Sequence, residues 1–146
     1  MKLATGSIGR LVCLGAVLFL AGCGGKSALQ SLGVGPMVSV QGKVTLGGKP
    51  LMGGNVFFYP EGEVKGFVPQ GLIDAQGHYS LATSGEAGAP VGKYRATVEP
   101  ASDDKAQDML VDVRYTSWVN SPLLIEVREN APAGAYDLKL ALPKKR

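Results

Sequence analysis

From residue 38 onward, apolar and polar side chains alternate with the period expected of strands that have one buried and one wet face. Val38, Val40, Val44 and Leu46 alternate with Ser39, Gln41, Lys43 and Thr45. Gly42 falls at an inward position, where a missing side chain predicts a bulge or a close backbone approach. Gly47 and Gly48 end this run with the chemistry of a two-residue hairpin. A second strand is predicted over residues 55–59, with Val56 and Phe58 on one face and Pro60 and Gly62 closing it. Residues 70–74 and 78–83 flank Asp74, Ala75, Gln76 and Gly77, predicting a hairpin in which Gly77 takes a positive φ. Over residues 93–99, Tyr94, Ala96 and Val98 point inward and Lys93, Arg95, Thr97 and Glu99 outward, until Pro100 stops the run. Leu123, Ile125 and Val127 form a sixth strand, and Tyr136, Leu138, Leu140 and Leu142 a seventh, with residues 130–134 as their turn.

Seven short strands with frequent turn signals predict an all-β domain over residues 37–143, a seven-stranded antiparallel Greek-key sandwich of the transthyretin-like or immunoglobulin-like kind. The competing mixed α+β fold requires a helix of about two turns over residues 103–110. Residues 101–120 form a connection longer than most in compact domains, and such loops either carry function or move.

The first residues follow a different pattern. Lys2 and Arg10 precede an apolar run over residues 11–21 that is too short to cross a bilayer and is followed by small residues, so residues 1–22 read as a cleaved export signal. Leu20, Ala21, Gly22 and Cys23 resemble the lipobox that lipoprotein signal peptidase cuts immediately before a cysteine. That resemblance makes Leu20, Ala21 and Gly22 the peptidase recognition residues and Cys23 the lipidated first residue of the mature chain. Cys13 lies inside the discarded run, so no thiol is left to pair with Cys23. Two or three acyl chains anchor a protein stably without help from its surface. Residues 23–36 are Gly-rich and read as a flexible tether spanning on the order of 20 Å. Gly24 lacks the aspartate associated with inner-membrane retention, which favours the outer membrane over the inner. Loss of Lys2 and Arg10 lowers the formal net charge from +3 to +1, which gives no electrostatic argument for nucleic acid.

Further residues resemble the carboxypeptidase-regulatory-like, or transthyretin-like, domains of short bacterial lipoproteins. The likeness covers most of residues 38–142. It rests on Val40, Gln41, Gly42, Lys43, Val44 and Thr45 followed by Gly48, Lys49, Pro50 and Leu51; on the segment from Ile73 through Asp74, Gly77 and Tyr79 to Leu81; and on Gly88, Pro90, Gly92 and Tyr94. Arg114, Tyr115 and Thr116 with Ser121, Pro122 and Leu123 extend it, whereas Trp118 and Val119 depart from the polar and proline residues usual there. The resemblance implies an accessory sandwich and no particular activity.

Candidate chemistry is sparse. Catalysis by a serine, histidine and aspartate set needs an imidazole, and the only histidine, His78, is expected on an exposed face beside a hairpin turn. The nearest enzymatic relative, a transthyretin-like hydrolase of purine-derived rings, uses several histidines and a Tyr-Arg-Gly-Ser ending, whereas this chain ends in Pro143, Lys144, Lys145 and Arg146. No enzyme, cofactor or metal is expected: zinc lacks ligands, and Asp103, Asp104, Asp108 and Asp112 lack the spacing of a calcium loop. Tyr115 and Trp118 are the candidate ligand-contact residues, either as an aromatic platform for a sugar or protein partner or as part of a lid over one end of the sandwich. Residues 144–146 form a basic tail. The expected role is a non-enzymatic, lipid-anchored cell-envelope protein presenting its sandwich for structural or protein-interaction purposes, with the membrane and an envelope protein or glycan as partners. The alternative is a carbohydrate-binding module.

Overall fold

A computed structural model describes Leu29 and residues 34–62, 67–101 and 110–143. The export signal, the lipobox with Cys23, most of the tether, Asp103, Asp104 and Asp108, the helix expected over residues 103–110 apart from Leu110, and the basic tail lie outside the described residues.

The described chain is an all-β sandwich. Its strands are β1 (Met37–Val38), β2 (Gln41–Leu46), β3 (Lys49–Pro50), β4 (Gly54–Pro60), β5 (Gln70–Leu72) and β6 (His78–Ser80), then β7 (Ala82–Thr83), β8 (Glu86–Ala87), β9 (Ala89–Pro90), β10 (Gly92–Pro100), β11 (Leu124–Val127) and β12 (Leu138–Leu140). All seven runs of alternation contain strands, and β3, β8 and β9 are additional to them. Six strands form an antiparallel sheet in the order β11-β10-β4-β5-β7-β8. A second sheet has β2 at its centre, with β12 on one side and β3 and β6 on the other, while β1 and β9 pair separately. One core cluster fills the space between the two larger sheets. Val44 from β2 and Leu138 from β12 meet Val56 and Phe58 from β4, Tyr94, Ala96 and Val98 from β10, and Val127 from β11.

Several local expectations are met for the reasons given. Gly47 and Gly48 have φ of 58° and 85°, the two positive values of a hairpin turn that matches strand twist, and β2 and β3 pair across it. The turn at Asp74 closes as expected: the Asp74 amide donates to the His78 carbonyl, the Gly77 amide donates to the Asp74 carbonyl, and Gly77 has φ of 83°. Gly42 is a close approach. A Cβ there would lie 2.8 Å from the Tyr136 carbonyl carbon and 2.9 Å from the Tyr79 ring, so those residues occupy the space a side chain would need.

The structure corrects four expectations. Pairing is not wholly antiparallel, because β12 runs parallel to β2 with Leu138 opposite Val44 and Leu140 opposite Leu46. Alternation reports which face is buried and carries no information on the direction of the neighbouring strand. The sixth and seventh strands are therefore not a hairpin: β11 belongs to the six-stranded sheet and β12 to the other. Thr97, read as outward and solvated, is 1% exposed and its hydroxyl has no partner among the described residues. It lies opposite Phe57, whose ring neighbours that of Tyr59, so aromatic rings share this outer sheet face with the charged side chains. Leu142, read as inward, lies past the end of β12 and is exposed.

Leu29 is buried and its carbonyl accepts the Val34 amide at 3.2 Å, and the Val91 amide donates to the Pro36 carbonyl at 2.9 Å, fixing the chain just ahead of β1.

Candidate functional site

The two aromatic residues singled out in the sequence part company in space. Tyr115 ends a short 3₁₀ turn (Val113–Tyr115) that begins on Asp112, whose carboxylate accepts the Arg114 amide at 3.1 Å. Its ring enters the core at 4% exposure, its hydroxyl accepts the Ala141 amide at 3.0 Å, and the Arg114 guanidinium sits 4.9 Å from the ring centroid. A side chain so enclosed anchors the loop and presents no surface to a ligand. Trp118, three residues on, is 59% exposed.

Trp118 is positioned by the turn that follows. The Ser121 amide donates to the Ser117 carbonyl at 2.8 Å, and the buried Ser121 hydroxyl donates to the Ala96 carbonyl at 2.5 Å. These bonds fasten the end of the loop to the middle of β10. The indole consequently lies against Tyr59 near the end of β4, with ring centroids 6.1 Å apart and an interplanar angle of 33°.

Arg95 is opposite Tyr59 in one ladder and Leu124 in the other. Its guanidinium donates through Nη2 to Glu61 Oε1 at 2.6 Å and through Nη1 to the Ser121 carbonyl at 2.6 Å. Glu61 is itself fixed just past β4 by its amide, which donates to the Lys93 carbonyl at 2.8 Å. Tyr59, Glu61, Arg95, Trp118 and Val119 line a groove of about 380 Å³. It combines an aromatic surface with an ion pair whose charges cancel. That combination suits recognition of a ligand by stacking and hydrogen bonding.

Tyr59, Glu61 and Arg95 were not singled out in the sequence. The period-two pattern does place Tyr59 and Arg95 on the face opposite Val56, Phe58, Tyr94 and Ala96, but only the fold brings Trp118 onto that face.

His78 is exposed beside its turn, with Nδ1 3.6 Å from Asp74 Oδ2. The Asp74 carboxylate also accepts the Gln76 and His78 amides at 2.9 and 2.8 Å. The His78 amide is the largest influence holding Asp74 below its ordinary pKa, so this carboxylate serves as a turn cap. Among the described residues, no group of three or more His, Cys, Asp or Glu could hold a metal, and no helix is long and apolar enough to cross a membrane. Of the four aspartates weighed for calcium, Asp112 caps the 3₁₀ turn and the others lie outside the described residues. Comparison of the chain with protein-family models, curated proteins and solved structures gave no match.

Proposed function

We propose that this chain is a lipid-anchored cell-envelope protein, attached through Cys23 and favouring the outer membrane, whose sandwich serves as a non-catalytic display and binding module. The observation that carries the reading is the junction in the sequence: an apolar run too short to span a bilayer ends at Leu20, Ala21, Gly22 and Cys23, directly ahead of the folded domain. The core cluster drawn from residues 40–140 supports it, since a domain that closes its own core needs only attachment from the preceding segment. In the same reading the longer strands make up a seven-stranded Greek-key arrangement of the transthyretin-like kind, and the groove beside Trp118 is where an envelope component is met.

Replacing Cys23 by Ser and fractionating cells tests the anchor. The unsubstituted protein is expected in membranes with an acylated cysteine at its mature N-terminus by mass spectrometry, and the Cys23→Ser protein is expected to carry no acyl chain. Recovery of Cys23→Ser in membranes with the same acylation would refute the assignment.

A further inference from the structure

We infer that the groove between Tyr59 and Trp118 binds the ring face of a neutral saccharide. This deepens the binding-module reading and rests on it for location, while the ligand chemistry is argued from the groove alone. A volume of about 380 Å³ lies at the small end of the range for ligand sites, enough for one or two sugar rings. The rings of Trp118 and Tyr59 are tilted by 33° with centroids 6.1 Å apart, and the half-exposed indole offers an apolar face on which the C–H face of a pyranose can lie.

Charge selects among the remaining candidates. Arg95 is paired with Glu61 at 2.6 Å and with the Ser121 carbonyl at 2.6 Å, so a phosphate or carboxylate would have to displace an existing carboxylate. A quaternary ammonium would find the Glu61 carboxylate already neutralised by Arg95, so the groove offers it no net negative charge beside the aromatic faces. A purely apolar ligand would desolvate the ion pair without compensation. A neutral sugar fits both requirements, because its hydroxyl groups donate to the free lone pairs of Glu61 and accept from the remaining guanidinium protons while its ring lies on the indole.

Trp118 is the only tryptophan of the chain, so its emission reports directly on the site. Full-length, detergent-solubilised protein would be titrated with neutral hexasaccharides of glucose, mannose and N-acetylglucosamine up to about 10 mM, a range that captures weak sites. An oligogalacturonate and a proline-rich peptide serve as comparators. A saturable change in emission with at least one neutral sugar is expected, and Trp118→Ala, followed by calorimetry, should weaken that binding by about tenfold or more. Glu61→Gln leaves Arg95 unneutralised and should shift preference toward the oligogalacturonate. No response to any neutral sugar, equal binding of the anionic sugar by the unsubstituted protein, or a response confined to the peptide would each overturn the ligand class. Acylation of Cys23 is scored separately on the same preparation: a lipidated protein that ignores sugars overturns this inference alone, and an unlipidated protein that binds them overturns the anchor alone.

Discussion

Substituting Gly42 by Ala should destabilise the domain through crowding and not through backbone strain. Gly42 has no positive φ, so alanine can adopt its backbone conformation, but the added Cβ would lie 2.8 Å from the Tyr136 carbonyl carbon and 2.9 Å from the Tyr79 ring. Backbone cannot move aside as a flexible side chain can, and overpacking of this kind costs about 1 to 3 kcal/mol. The same carbonyl accepts the buried Tyr79 hydroxyl at 2.6 Å, and disturbing that bond adds about 1 kcal/mol. Reduced freedom of the unfolded chain offsets about 0.5 to 1 kcal/mol. The net loss is about 1 to 3.5 kcal/mol, or roughly 5 to 20 °C in Tm for a domain of this size. Gly48 is the control: it has φ of 85° with open space around it, so Gly48→Ala should cost only the left-handed strain of about 1 kcal/mol. Urea unfolding followed by circular dichroism measures both. A Gly42→Ala protein within about 0.5 kcal/mol of the unsubstituted one, or one less affected than Gly48→Ala, would refute the reasoning.

Three further outcomes are expected. Ser121→Ala removes the buried donor to the Ala96 carbonyl, and should lower stability in urea by about 1 to 3 kcal/mol and expose residues 116–121 to faster proteolysis. Asp74 has a lowered pKa in the folded state, so its contribution is present above the ordinary carboxylate range and lost as pH falls through the folded value; Asp74→Asn should flatten the acid limb of a stability profile below about pH 4. Burial raises Tyr94 to about 12 and raises Tyr79 as well, so the stability these hydroxyls confer is complete below about pH 10 and lost as pH rises through the folded values. The tyrosinate absorbance of Tyr79 and Tyr94 should therefore appear together with unfolding above about pH 10, and Tyr94→Phe should weaken that coupling.

Much of the fold was legible because one-sided burial leaves a period of two in the sequence. Val56 and Phe58, Tyr94 and Ala96, and Leu138 and Leu140 all reach the core as their alternation implies. The special backbone positions were legible too, since Gly42 and Gly77 occupy sites where a side chain or a negative φ would not fit. Direction and partner choice were not. Nothing local distinguishes a β12 that pairs in parallel with β2 from one that turns back on β11, because both bury the same leucines. The groove was half visible for a related reason. Trp118 declares itself as an apolar residue in a polar loop, but its neighbour Tyr59 is distant in the chain and is brought close only by Ser121 fastening the loop to β10. Tyr115 misled because a loop aromatic that plugs the core and one that faces solvent look alike in sequence.

The side-by-side course of β2 and β12 has a mechanical consequence. Tension applied between the ends of the domain loads β1 first and, once its pair with β9 is released, pulls β2 and β12 in opposite senses along a common axis. The hydrogen bonds spanning Val44 to Leu46 and Leu138 to Leu140 are then strained in shear and must rupture together, whereas an antiparallel terminal pair would unzip one bond at a time. A domain wired in this way resists being stretched from its ends better than its modest size suggests.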